Sequence, residues 1–282
     1  MVNTIVFPSS FFDTRRVDED LQQEYDAVVE TGLFDVIIFG YEKWFDEGKL
    51  VLANAPSEEV MAVYRGWMMK PEQYETFYSQ LQERGICLVT DPEAYTTMHV
   101  FPNVYKFVAK DTAKMQVFPL HQEINIAEVK KEFSRFMVKD YVKSVKGTKF
   151  PRYFDHSIDQ DTFHQWMEVF YQYRGNLLTG GICIKEFLKQ YCDRTNEYRV
   201  FYMNHEIATV SRNSGQLSTA ATPPKALVEK YCNLPSVFYT VDFAELDNGT
   251  WQIIEAGDGS VSGLSEGQDY KAFFRALYQC LL

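Results

Sequence analysis

Cysteine is scarce and scattered in this 282-residue chain. Cys87, Cys183, Cys192, Cys232 and Cys280 are odd in number and form no Cys-x-x-Cys pair. This argues against a disulfide framework or a cysteine zinc site and for reduced thiols, some buried as small hydrophobes. Long apolar runs are missing too. Residues 34–39 form one of the longest, far short of the about 20 needed to span a bilayer, so no membrane partner is expected. The opening Met-Val-Asn-Thr-Ile-Val-Phe-Pro has no basic region ahead of an apolar stretch and does not read as a signal peptide, which gives a cytoplasmic expectation. Positive charge is in deficit: 28 Lys and Arg stand against 39 Asp and Glu, for a net charge of −11. Such a chain has no general affinity for phosphate backbones, and no nucleic-acid partner is expected. Neither a Gly-x-x-x-x-Gly-Lys-Ser/Thr loop nor a Gly-x-Gly-x-x-Gly after a strand is present. That disfavours a P-loop NTPase and a dinucleotide-binding domain. No internal repeat or low-complexity segment occurs.

What remains is a globular composition, 46% hydrophobic and 24% charged, with aromatics to fill large cores. The first part of the chain alternates strands (3–7, 34–39, 61–64, 86–89) with helices (17–30, 71–84 and a short one from Asp91-Pro92), the order of a mostly parallel α/β sheet. Residues 41–54 read as a hairpin turning at Asp46-Glu47-Gly48. After about residue 110 strands crowd together, at 115–119, 135–142, 181–188, 198–203, 206–211, 237–245 and 250–255, with helices at 124–133, 159–173, 223–232 and 268–281. This second part reads as α+β with a largely antiparallel sheet. The change of pattern places a boundary within 101–111, giving two domains, 1–108 and 109–282.

The segment 241–255 carries the sharpest local signal. Asn248-Gly249 between apolar runs predicts a two-residue hairpin turn. That register sets Asp247 opposite Thr250, Ala244 opposite Ile253 and Asp242 opposite Glu255. Directly opposed carboxylates lie about 4.5–5.5 Å apart at Cβ and repel, unless a divalent cation such as Mg²⁺ or Mn²⁺ sits between them. A three-residue turn would break the opposition. A third acid, Asp258, follows within the glycine-containing stretch 255–264. Basic residues concentrate in the same half: Lys139, Lys143 and Lys146 in eight residues, and Lys185, Arg199 and Arg212 on or beside apolar strand patterns. Cations meeting phosphates, with carboxylates holding the bridging metal, is a general arrangement for phosphoryl chemistry.

The order of these elements resembles the ATP-grasp superfamily. It is most similar to the clade named for two arginines and a lysine. The matching elements are Lys139, Lys185-Glu-Phe-Leu, Glu197-x-Arg199, Arg212, Asp242 and Glu255-Ala-Gly-Asp, with Tyr64-Arg65-Gly66 upstream. The resemblance implies an α/β N-terminal (pre-ATP-grasp-like) domain followed by an α+β ATP-grasp domain of two lobes. It implies that ATP is held by Lys139 and Lys185 at the phosphates and by Glu186, Phe187 and Leu188 beside adenine, with Glu197 on the same side. Arg199 and Arg212 would meet the γ-phosphate or an acyl phosphate. Asp242 and Glu255, with Asp258 in place of the asparagine many relatives carry, would hold Mg²⁺. Arg65 is the candidate substrate contact, against a structural salt bridge. The implied activity is an ATP-dependent carboxylate–amine ligase acting through an acyl phosphate on small-molecule or peptide carboxylate and amine substrates. The alternatives are a non-catalytic nucleotide-binding assembly protein and a phosphotransferase.

Overall fold

The structure, a computed structural model, describes residues 2–188, 196–213, 215 and 220–282. Cys192 lies outside them. The first sheet holds β1 (Val2–Pro8), β2 (Asp35–Phe39), β3 (Val60–Tyr64) and β4 (Ile86–Leu88) in the order β2-β1-β3-β4, all parallel. Helices α1 (Gln22–Thr31), α2 (Tyr41–Glu47) and α3 (Pro71–Gln82) make the connections. The expected hairpin at 41–54 is instead α2. The Asp-Glu-Gly read as a turn is its C-terminus, where Gly48 takes the left-handed conformation (φ 66°) that ends helices. Next come α4 (Pro92–His99), capped by Asp91, and α5 (Phe101–Val108), so a helix runs through the stretch where the pattern changes.

The rest of the chain forms two antiparallel sheets. One has the order β5-β8-β6-β7, from β5 (Met115–Phe118), β6 (Arg135–Asp140), β7 (Phe154–Asp155) and β8 (Ile182–Glu186). Its Phe136, Val138, Ile182 and Ile184 pack on α6 (Ile126–Glu132) and α7 (Gln160–Arg174). The other has the order β10-β9-β11-β12, from β9 (Glu197–Met203), β10 (Glu206–Arg212), β11 (Phe238–Glu245) and β12 (Trp251–Asp258). Helices α8 (Lys225–Glu229) and α9 (Tyr270–Gln279) complete the chain. One face of this sheet (Val200, Tyr202, Tyr239, Val241, Ile253) is covered by α5 and the α8 region. On the opposite face α9 covers Phe201, Met203 and Phe238, joining them to Ile5, Phe7 and Val63 of the first sheet.

Arg65 stands at this joint. It is 2% exposed. Its Nε and Nη2 donate to the two carboxylate oxygens of buried Glu24 at 2.8 Å, and Nη1 donates to the carbonyls of Gly259 and Ser262. Phe201 and Phe273 flank the guanidinium. Arg65 is therefore not a substrate contact. Four of its five N–H donors are spent on tying α1 and the first sheet to the loop after β12. Removing one partner of a buried pair leaves an uncompensated charge, at a cost of about 3–5 kcal/mol. Arg65→Met and Glu24→Gln should each lower unfolding stability by about that amount in urea titrations. Nearly unchanged midpoints would return Arg65 to a contact role.

Candidate functional site

The hairpin that carries the acids is built differently from its sequence reading. Only Gly249 takes positive φ (78°), whereas a two-residue Asn-Gly turn of the hairpin type needs it at both residues. The loop is therefore Asp247-Asn248-Gly249, closed by hydrogen bonds from Leu246 N to Thr250 O (2.7 Å) and Gly249 N to Leu246 O (2.8 Å). Ala244 faces Gln252, and Phe243 faces Ile253. A β-bulge follows, and Asp242 faces Glu255 after all. The extra residue is Ile254. One inserted residue flips the following side chains to the other face. Ile253 points into the helix-covered core, while Glu255 joins Asp242 and Arg199 on the face that α9 leaves open at that end.

The facing sheet supplies cations by the same alternation. Lys139 pairs with Cys183, and Met137 with Lys185, so both lysines lie on the face opposite the α6/α7 core. Lys139 Nζ donates to Glu255 Oε1 at 3.0 Å, and Lys185 Nζ to Ile254 O, at the bulge, at 2.6 Å. The Phe101 ring lies 4.8 and 4.4 Å from the two ammonium groups. Asp111 and Thr112 strap the outer edge of β12 through Ile253 N and O, both at 2.7 Å. Fully buried Asp140 accepts from the N–H groups of Val142 and Lys143 and from Arg174 Nε (2.7 Å), which fixes the lysine-bearing loop 141–147.

The acids are not left to repel each other. Arg199 Nε and Nη2 donate to the two oxygens of Asp242 at 2.8 and 2.7 Å, while Lys139 covers Glu255. The pair is thus stable without the cation that its spacing invoked. Burial pushes the Glu255 carboxyl up, but Lys139, Lys143 and Lys185 outweigh it and hold it well below the usual carboxylate range. Burial, reinforced by Lys139, pushes the Lys185 ammonium down to about 7 against the pull of Glu255. Burial, with Asp242 adding, raises Glu197 to about 7 against Lys146, Arg199 and Asn213.

A cleft of about 650 Å³ between the two antiparallel sheets brings together Lys139, Lys185, Glu186, Phe187, Leu188, Glu197, Arg199, Asp242 and Glu255. Two expected members do not line this cleft. Arg212 pairs with Tyr198, one step out of phase with Arg199, and so lies on the other face of edge strand β10. Asp258 pairs with Tyr239 on the core face, 1% exposed, with Oδ1 accepting from Ser260 N. Its alternation from Glu255 keeps it off the cleft wall, although it lines a small adjoining chamber together with Arg199, Asp242 and Glu255. Among the described residues no three His, Cys, Asp or Glu side chains converge to hold a metal. Lys143, Lys146 and Asn213 line the cleft without having been singled out as site residues. The lysine density of 139–146 was the available signal for the first two. The N–H groups of Glu186 and Phe187 are engaged by the carbonyls of Lys114 and Arg135, which leaves their carbonyls and the Phe187 ring, packed on Tyr153 at 4.6 Å, for recognition.

Residues 100–277 match an ATP-grasp domain family, family 3 of the clade named for two arginines and a lysine. Among solved structures the chain is similar to D-cycloserine synthetase DcsG (12% identity, TM-score 0.64, covering 100% of both chains). It is similar also to the ATP-grasp ligase PsnB complexed with a phosphomimetic variant of minimal precursor, Mg and ADP (10%, TM-score 0.63, 99% of this chain and 98% of that one). A third is D-alanyl-alanine synthetase A from Vibrio cholerae (11%, TM-score 0.61, 99% and 98%). At such identities the likeness is one of fold. No curated protein matches the chain in sequence.

Glu197 offers a test of the site's electrostatics. A carboxyl raised in the folded state stabilises the fold fully below its unfolded value and loses that contribution as pH rises through the folded one, here about 7. Glu197→Gln should therefore raise Tm relative to wild type at pH 8 and leave it unchanged near pH 4. A variant less stable than wild type at pH 8 would show that the ionised carboxylate is welcome there.

Proposed function

The chain belongs to the ATP-grasp domain family just described, the third of its two-arginine, one-lysine clade, and from that premise we propose that it is an ATP-dependent carboxylate–amine ligase. The observation that carries the reading is the cleft itself. In a protein of net charge −11, two buried lysines and an arginine converge on one opposed carboxylate pair between two sheets.

Nucleotide and metal fit the residues present. A carboxylate offers about four lone-pair sites. Asp242 commits two of its own to Arg199 and Glu255 commits one to Lys139, so the pair retains capacity for Mg²⁺. Bound there, the metal would neutralise charge on the transferring phosphoryl group. Lys139 and Lys185 would meet the nucleotide phosphates. Charging Lys185, pushed down to about 7 by burial, is favoured by an anion, so phosphate binding would draw a proton to its Nζ. The carbonyls of Glu186 and Phe187, with Leu188, would contact adenine, and Glu197 lies beside the same cleft. Arg199 spends three N–H groups on Asp242 and Gly263 O, leaving two of its five for a phosphoryl oxygen. In this scheme residues 109–282 hold the nucleotide, and residues 1–108 face the acceptor and lend the Phe101 ring.

In the proposed reaction a substrate carboxylate oxygen bonds to the γ-phosphorus as the bond to the β-phosphate bridge breaks, releasing ADP. An amine then attacks the acyl carbon, phosphate leaves, and one proton is lost. Arg199 stabilises the charge that develops, and closure of the two sheets on their substrates would keep water from the acyl phosphate.

ADP release in the presence of carboxylate and amine substrates tests the assignment. Asp242→Asn should lower kcat by about 10²–10³-fold. Asp247→Asn, in the hairpin loop, should leave kcat within about twofold. Arg199→Lys keeps the charge but loses the planar fork, and should lower kcat more than it weakens ATP binding. Arg212→Lys, on the opposite face, should retain kcat. Equal losses at positions 199 and 212 would contradict the facial assignment, and nucleotide binding without turnover would favour an assembly role.

A further inference from the structure

The first sheet has an opening of its own. Its order β2-β1-β3-β4 sends connections to both sides of β1, and ligands of open parallel sheets bind outside the carboxyl ends of the strands at such a switch. At that edge lies a cavity of about 680 Å³, within the range of pockets that bury most of a drug-sized ligand. Residues of the connections that follow three of the strands line it: Asp18 in the connection after β1, Tyr41 and Phe45 after β2, Trp67 and Met68 after β3. Its walls are prearranged. The Tyr41 and Phe45 rings stack at 5.7 Å, Trp67 Nε1 donates to Asp18 Oδ2 at 3.1 Å, and Tyr64 OH holds Trp67 O at 2.9 Å.

The apolar surface extends past the cavity. Phe45 (44%), Met68 (41%) and Trp67 (36%) are all exposed. Phe11 (66%) and Phe12 (90%) are more so, in a loop anchored by the Ser9–Val17 bridge and by the bond from Tyr41 N to Ser9 Oγ. Exposed apolar surface gathered at one edge marks a binding face. A small chamber of about 80 Å³ lies between this cavity and the nucleotide cleft. It shares Met68, His99, Val142 and Lys143 with the cavity, and Arg199, Asp242 and Glu255 with the cleft. Of the charged groups on the cavity wall, Arg174 is neutralised by Asp140 and Asp18 is engaged by Trp67. Lys70, Lys143 and Glu42 complete the charged lining, and Lys143 also acts on Glu255 across the neighbouring chamber.

We propose that this edge binds the acceptor, and that the acceptor is a peptide with a bulky aromatic side chain beside its reacting carboxylate. The aromatic group lies against Tyr41, Phe45 and Trp67. The carboxylate is drawn past Met68 and Lys143 into the chamber, and the preceding residues cover Phe11 and Phe12. A single aromatic amino acid would fill only part of the cavity and leave that loop bare. The inference rests on the ligase reading for its reaction but not for its binding.

Calorimetry on the full chain tests it with acetylated Ala-Ala-Phe and Ala-Ala-Ser, both with free carboxylates, and with N-acetylphenylalanine. Ala-Ala-Phe should bind about tenfold tighter than Ala-Ala-Ser, and at least about tenfold tighter than N-acetylphenylalanine. Phe45→Ala and Trp67→Ala, both at exposed positions, should each weaken the Phe peptide by about tenfold and leave ATP affinity unchanged. Equal binding of the Phe and Ser peptides, or no effect of either variant, would overturn the aromatic site. N-acetylphenylalanine binding as well as the tripeptide would overturn the peptide assignment. ATP titrations on the same samples separate the readings. ATP binding without peptide selectivity defeats this inference alone, and selectivity without ATP binding defeats the nucleotide reading.

Discussion

One inserted residue in β12, Ile254, decides where the charge of this molecule goes. A regular ladder from the three-residue hairpin loop would place Glu255 on the same face as Ile253, among the side chains packed on α5. The bulge turns Glu255 to the open face opposite Asp242, and Lys185 takes the carbonyl of Ile254 itself. The strap at Asp111 and Thr112 pairs with Ile253 and braces the strand beside the irregularity. Bulges next to functional sites commonly re-aim a side chain in this way. Here the bulge joins two sheets as well, because both lysines of β6 and β8 reach across to consecutive residues of β12.

The cleft is stable without ligand only because its charges alternate. Arg199 answers Asp242 and Lys139 answers Glu255, at the expense of desolvating every one of them. Not every group is satisfied by this. Lys185 is pushed down to about 7 and Glu197 up to about 7, both first by burial. Strongly shifted groups gathered in a cleft are the expected mark of a site that waits for a charged ligand. Arg65 has the same chemistry and the opposite outcome. Its partners take four of its five N–H groups and bury it, and it became architecture.

The sequence made the layers legible, since strand–helix alternation and later strand crowding each reflect how a sheet is covered. Its failures have local causes. Asp46-Glu47-Gly48 ends a helix rather than a hairpin, because a left-handed glycine serves either purpose. The pairing of Asp242 with Glu255 was reached from the wrong turn: a three-residue loop shifts the register by one, and the bulge at Ile254 shifts it back. The bulge has no residue signature, because Ile254 is an ordinary strand residue, and Gly249 suits a two-residue and a three-residue turn alike. Arg212 and Asp258 are set apart by parity: Arg212 alternates with Arg199, and Asp258, out of phase with Glu255, lines only the small chamber beside the cleft. Motif order shows which strands carry charge, and only the ladder shows which way each charge points.

The most direct measurement is calorimetric titration of ATP into wild-type protein and Glu255→Gln, each with and without Mg²⁺. If the bulge builds a metal–nucleotide site, Mg²⁺ should tighten ATP binding to the wild type by about tenfold or more, about 1.4 kcal/mol, and should have little effect on the variant. Equal binding with and without Mg²⁺ in the wild type, or full Mg²⁺ enhancement retained in Glu255→Gln, would contradict it.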